Sequence, residues 1–256
     1  MNEGAFTKRY ASAQQCAAAR FHYDWLAAHV QPLCLPRLLA TGRRHLIFGH
    51  VHGRYATPVD LEALAAHLGD AHGTAWVNVL HTARLDYPHR ATGGHTIADF
   101  ATPRLAALNS SDRVTTSMRA QEITRAIELI HAAIDRPAAI YKDTNPRNVL
   151  ITPTGRIMTI DFADLTLAPF GYDLAKLVVT LSMTHGSIAE KTVERALAAY
   201  NAAAARHASA LGDTSYAQLL GYAQIHHVLT ARYLGRGGYQ YQWPAVRPGT
   251  VSGGTP

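Results

Sequence analysis

AAIYKDTNPRNVLITPTGRIMTIDFADLTLAPFGYDLAK, residues 138–176, gathers Asp143, Asn148, Asp161, Asp164 and Asp173 among apolar runs and turn residues, in a chain with only 18 acidic residues. The pattern reads as a strand AAIY, a strand NVLIT, the turn PTG and a strand RIMTID. A hairpin brings its open ends together. Asp143 and Asn148 precede its first strand and Asp161 follows its second, so the three side chains are expected at one mouth. Two carboxylates and a carboxamide are hard oxygen donors, suited to a divalent cation such as Mg2+. A carboxylate not needed by the metal can orient a hydroxyl and accept its proton. Magnesium held by few protein oxygens completes its shell with phosphates, and that combination is the minimum for phosphoryl transfer.

The rest of the chain sets the bounds. At 256 residues and 48% hydrophobic, it can bury a sizeable core in one large domain or two small lobes. No apolar run approaches the ~20 residues that cross a bilayer. The start, MNEGAFTKRYASAQQ, lacks the charged-then-apolar pattern of a secretory signal. Cys16 and Cys34 form no CxxC, which gives no disulfide framework or cysteine metal site. The expectation is a cytoplasmic chain with no membrane association. The net charge is +6, but the positive residues are scattered without a basic block. Nucleic acid is therefore not an expected partner, and a pocket for a phosphorylated ligand uses the same charge.

Working outward, AFTKRY (5–10) is a strand and 12–29 a helix, apolar through Ala19, Phe21, Trp25 and Leu26. PRLLATGRRHLIFGHV (36–51) reads as a hairpin, and 58–72 as a helix opened by Thr57-Pro58. Residues 73–97 read as a long loop with a short strand. An amphipathic helix is expected over 114–134, and three more near 170–185, 188–208 and 214–235. The Gly- and Pro-rich segment 236–256 is expected to be a flexible tail. This gives an α+β chain with a reduced N-terminal lobe and hinge (1–54), a mostly helical lobe (55–235) and the tail.

The spacing Asp143-x4-Asn148, followed by Ile160-Asp161-Phe162-Ala163 and Tyr172-Asp173-Leu174-Ala175, resembles the aminoglycoside phosphotransferase branch of the kinase-like enzymes. There a His-Gly-Asp-x-His-x-x-Asn loop precedes Ile-Asp-Phe-Gly-Asp and a Tyr-Asp-Leu-Ala helix start. The resemblance implies a protein-kinase-like two-lobe fold and a small-molecule kinase with a nucleotide donor, ATP, and Mg2+. Asp143 would be the catalytic base, and Asn148 and Asp161 the metal ligands. Asp173 would brace the catalytic loop. Lys8 would touch the α and β phosphates. Phe48, Gly49, His50 and Val51 would form the hinge that meets adenine.

The chain also departs from the family pattern. Tyr141-Lys142 replaces His-Gly, Asn145 the second His, and Ala163 the metal-motif Gly. Only seven residues precede Lys8, too few for the family's first two strands and Gly-rich loop. Either the chain starts late or the nucleotide lobe is reduced, with the phosphate site open on one side. The helix 12–29 has no glutamate to pair with Lys8. Asp164 reads equally as a cap or as support for the site. His50 and His52 share a strand face, but no third ligand is spaced to make a zinc site. The alternative function is a catalytically silent kinase-like module that binds nucleotide or a protein partner. The family's aminoglycoside pockets are acid-rich. The helices after 185 hold only Glu190, Glu194 and Asp213, so a neutral or anionic hydroxyl acceptor fits at least as well as a polycation.

Overall fold

The computed structural model describes residues 4–109, 117–236 and 238–249. Strand β1 (Ala5–Arg9) leads into helix α1 (Ala13–His29) and the hairpin β2 (Leu38–Thr41) and β3 (His45–Gly49). Ser12 caps α1 by accepting the Gln15 N–H at 3.1 Å. The helix buries Cys16, Ala19, Trp25 and Leu26. The sheet order is β1-β3-β2, antiparallel throughout, with Lys8 opposite Leu46. Alternation along β3 turns Leu46 and Phe48 into the core.

Strand β4 (Arg54–Tyr55), at the expected lobe boundary, pairs with residues 150–151 of the predicted NVLIT hairpin rather than with the first sheet. Helix α2 (Leu61–Ala75) follows a short 3-10 turn at Pro58–Asp60. It does not stop at residue 72 as expected but continues as a π-helical segment through Leu80. The Gly-, His- and Thr-rich composition of 73–97 reads as a loop, but Gly69 and Gly73 serve close packing: a Cβ on Gly69 would stand 2.2 Å from the Tyr200 carbonyl, and one on Gly73 would stand 2.4 Å from the His207 ring. These glycines let α2 lie against α6 (Glu190–Ala205).

The expected loop holds β5 (His89–Arg90) and β6 (Thr96–Ile97). Helix α3 (Ala101–Asn109) was not anticipated, although the Asp99 carboxylate accepts the Thr102 N–H at 2.6 Å in the manner of an N-cap. Helix α4 (Ser117–Ala133) matches the expected 114–134, of which 114–116 lie outside the described residues. Strand β7 (Ala138–Tyr141) opens the segment that decides the fold. Then come β8 (Val149–Ile151), β9 (Ile157–Thr159) and β10 (Thr166–Pro169). Strands β8 and β9 form the predicted hairpin in sheet β4-β8-β9, while β10 returns to pair with β7.

Helix α5 (Tyr172–His185) is buried from Tyr172 through Met183. It is covered on all sides, its apolar residues interrupted by the buried Asp173, Lys176, Thr180 and Ser182. Helix α7 (Tyr216–Thr230) packs beside it. The segment expected to be a flexible tail is packed over residues 238–249. Helix α8 (Trp243–Val246) lies against α5, and Trp243 is 3% exposed. The Gln240 and Tyr241 N–H groups both donate to the Met183 carbonyl, at 2.8 and 3.0 Å. Tyr239 and Trp243 supply the apolar anchors that outweigh the Gly and Pro content. Residues 237 and 250–256 lie outside the described residues.

Candidate active site

The hairpin β8–β9 sets the site. Its register pairs Val149 with Thr159, and the Ile160 N–H donates to the Asn148 carbonyl at 2.8 Å, which ties the open end together. Asp143 and Asp161 flank this end with φ of 53° and 66°. They are the two non-glycine residues with positive φ among the described residues. Left-handed backbone at a side-chain-bearing residue costs energy and is retained where the surroundings fix a functional geometry.

The Asp143 Oδ1 accepts the Tyr141 hydroxyl at 3.0 Å and lies 3.5 Å from the Lys176 ammonium. The Asn148 amide nitrogen donates to the Asp143 carbonyl at 2.8 Å and approaches Asp143 Oδ2 at 3.4 Å. A carbonyl can only accept, so this bond fixes the amide and turns Asn148 Oδ1 away as a free acceptor. Asp161 Oδ1 accepts the Ala163 N–H at 3.0 Å and is ion-paired to Lys8. Burial works to raise the Asp161 carboxyl, but the bonds from Lys8 and the Ala163 N–H win and hold it below the usual range. Asn148 Oδ1 and Asp161 Oδ2 are thus left as oxygen donors, which suits a hard divalent cation that takes its other ligands from phosphate and water.

Lys8 finds its acid in Asp161, across the hairpin mouth, and not on helix α1, where Asp24 binds Arg20 at 2.6 Å and Gln15 accepts the Ala11 N–H. Lys8, Phe48, Gly49, His50, Val51, Asn148 and Asp161 all line one cleft of about 640 Å³. Asp143 instead opens into a second cavity of about 870 Å³, and Arg147 lines both. The His50 and His52 rings contact each other at 4.5 Å. Among the described residues no three His, Cys, Asp or Glu group together.

Asp173, fully buried at the start of α5, braces the loop that carries Asp143. Its oxygens accept the backbone N–H groups of Lys142 and Thr144 at 3.3 and 3.1 Å. Burial raises its pKa, partly offset by those bonds. Lys142, at the family's glycine position, runs beneath the loop, and its ammonium donates to the Ile160 carbonyl at 2.8 Å. Burial lowers this lysine to about 8 despite the nearby Asp161, Asp143 and Asp173 charges. Asp164 is pushed up by burial and by the charges of Asp143 and Asp161, and it lines the second cavity.

Sequence reasoning missed several contributors. Lys176 lies one helical turn after Asp173, a spacing that put it within reach. Tyr141 ends β7 two residues before Asp143, close enough in sequence for its hydroxyl to reach that carboxylate. Arg104, Arg236 and Tyr239 carry no local signal, because α3 and the C-terminal strap reach the site only through tertiary packing. Tyr239 does so by accepting the Asn145 amide at 3.1 Å.

Comparison with known proteins places the fold. Choline kinase LicA from Streptococcus pneumoniae superposes with TM-score 0.60 at 12% identity, over 90% of this chain and 76% of that one. The APH(2")-IIia structure with GDP and kanamycin gives 0.63 at 14%, over 91% and 80%. An aminoglycoside-3'-phosphotransferase of type VIII gives 0.55 at 20%, over 86% and 83%. These likenesses show a kinase-like α+β fold. No curated protein sequence matches significantly. A family model does match, over residues 6–214, a span that contains β1 with Lys8, the catalytic hairpin and α5, and by that match the chain belongs to the phosphotransferase enzyme family.

Proposed function

We propose that this protein is a magnesium-dependent small-molecule kinase that transfers the terminal phosphoryl group of ATP to a hydroxyl. The observation that carries the reading is the placement of the two strained aspartates. Asp161 lies in the cleft shared with Lys8 and the hinge, and Asp143 in the adjoining cavity. A donor and an acceptor seated in these two spaces would meet at the hairpin mouth.

In this reading Phe48–Val51 receive the adenine, and Lys8 leaves Asp161 to contact the phosphates. Asn148 and Asp161 would hold Mg2+, and the ion would supply charge neutralisation at the phosphates. Tyr141 and Lys176 engage Asp143 Oδ1, so Oδ2, approached by the Asn148 amide at the longer distance of 3.4 Å, is the oxygen that receives the proton. As the acceptor oxygen bonds to the terminal phosphorus, the bond from phosphorus to the bridging oxygen breaks. ADP departs and the hydroxyl proton passes to Asp143. Transfer through a loose transition state asks chiefly for positioning, and the bracing of the loop by Asp173 provides it.

The test is a nucleotide titration in magnesium and in EDTA, alongside Asp143→Asn. Binding is expected to depend strongly on the metal. Asp143→Asn is expected to keep nucleotide affinity and lose on the order of 10²–10⁴ in transfer rate. Tight binding in EDTA, or unchanged turnover in the variant, contradicts the assignment.

A further inference from the structure

The second cavity carries information about the acceptor. Among the described residues its wall bears Arg104, Arg119, Arg147, Lys176 and Arg236 against two carboxylates, Asp143 and Asp164, a balance of five cations minus two anions, or +3. His226 adds no charge, because burial, with Lys176 nearby, holds it well below its ordinary value. Lys176 answers Asp143, and Arg147 also serves the nucleotide cleft. Arg104, Arg119 and Arg236 line the acceptor side alone of the two cavities.

Arg104 is the informative residue. It is only 6% exposed, and among the described residues no carboxylate pairs with it. Its guanidinium lies 4.5, 5.0 and 4.6 Å from the rings of Phe100, Tyr141 and Tyr172. It donates to the Tyr172 hydroxyl, the Phe100 carbonyl and the Thr166 hydroxyl at 2.9, 2.8 and 3.2 Å. Three of its five N–H groups are thereby used, leaving one on each terminal nitrogen. A buried cation without a counter-ion is unfavourable unless something supplies the charge. A planar guanidinium held rigid by aromatic rings is a preformed receptor for a carboxylate or phosphate.

We propose that the acceptor is an anion: a hydroxyl compound whose carboxylate or phosphate ester seats on the Arg104 side of the cavity while its hydroxyl faces Asp143. This rests on the kinase reading for the hydroxyl and on the cationic wall for the anion. The lining is the reverse of the acid-rich pocket that a polycation requires.

Two measurements separate these supports. The first is calorimetric titration with citrate, without nucleotide and at low salt, with spermine as the opposite-charge control. Citrate is expected to bind and spermine not. Arg104→Gln is expected to weaken citrate at least tenfold, in line with losing a charge-assisted contact. Arg236→Gln is expected to weaken it several-fold, and being at an exposed position it keeps the test valid if Arg104→Gln fails to fold. Spermine binding more tightly than citrate, or citrate affinity unchanged in the folded variants, overturns the proposal.

The second offers a small-molecule extract, sorted on ion exchangers into anionic, neutral and cationic fractions, with [γ-32P]ATP and magnesium. Label is expected in the anionic fraction. Prior phosphatase treatment removes the acceptor if it is a phosphate ester and spares it if it is a carboxylate. Label confined to the neutral or cationic fraction overturns the proposal. No label in any fraction, with citrate binding intact and lost in the variants, refutes the kinase reading and leaves the anion site standing.

Discussion

Replacing Lys142 with Met should change the pH dependence of stability in a calculable way. Lys142 is 5% exposed, its ammonium is bonded to the Ile160 carbonyl, and it lies 5.4 Å from the centre of the Phe162 ring. Burial lowers its pKa from 10.5 to about 8. Below pH 8 both folded and unfolded chains carry the proton, and the folded state bears the cost of the buried charge. As pH rises through 8 the folded state releases the proton first, so stability increases until the unfolded chain also titrates near 10.5. Between pH 7 and pH 9 a pKa of about 8 corresponds to a gain of about 1.4 kcal/mol, a factor of ~10 in the folding constant. Lys142→Met removes this titration. Urea unfolding of both proteins at pH 7 and pH 9 gives the double difference, which cancels the groups the two proteins share. The prediction concerns only this slope, because Met also loses the hydrogen bond and shifts absolute stability. Equal changes with pH in the two proteins would refute the view that Lys142 is a desolvated cation beneath the catalytic loop.

Other perturbations separate the site's parts. Asp161→Ala is expected to abolish the difference between nucleotide affinities in magnesium and in EDTA, read by calorimetry. An intact difference would remove Asp161 from the metal site. Asp173→Ala leaves the buried N–H groups of Lys142 and Thr144 without acceptors and should lower stability by about 2–4 kcal/mol in denaturant unfolding. A change below the measurement error would mean that water replaces the carboxylate. Trp243→Ala should cost about 3 kcal/mol, the lower end for a buried aromatic, and loosen the strap that carries Tyr239. Acceptor KM should rise more than nucleotide KM, and the opposite order would detach the strap from the acceptor cavity.

The parts of the fold legible in the sequence were those written in local periodicity and turn chemistry. Helix α1, the hairpin β2–β3 and the hairpin β8–β9 follow from apolar spacing, the Ser12 cap and the PTG turn, with errors of one or two residues at their ends. What failed did so for tertiary reasons. The end of α2 was read as loop from its Gly, His and Thr content, because a sequence does not show that Gly69 packs on the Tyr200 backbone of α6 and Gly73 on the His207 ring. The strap over 238–249 looked disordered by composition, yet Tyr239, Trp243 and Val246 find a surface on the helical lobe. At the site, the spacing of Asp143, Asn148 and Asp161 was enough to bring the hairpin ends together. The charge of the acceptor cavity was not legible, because its arginines come from α3, α4 and the segment after α7, each distant in sequence.

The same hairpin explains why the site divides into two spaces. Asp143 enters it and Asp161 leaves it, and the carbonyl of Asn148 receives the N–H of Ile160 between them. The Thr152–Arg156 turn fixes the register: the Thr152 N–H donates to the Arg156 carbonyl at 3.0 Å, with Gly155 at φ 80°. Because side chains alternate along a strand, a slip of one residue would turn Met158 outward and carry Asp161 off the mouth. The separation of the two aspartates is therefore set by a solvent-facing turn at the far end of the hairpin. Asp161 is then drawn toward Lys8 on β1, while Asp143 is drawn toward Lys176 on α5. One lysine comes from the sheet and the other from the central helix. Each holds its carboxylate toward a different cavity, so a nucleotide and an acceptor can be bound by separate walls and still meet at one short length of backbone.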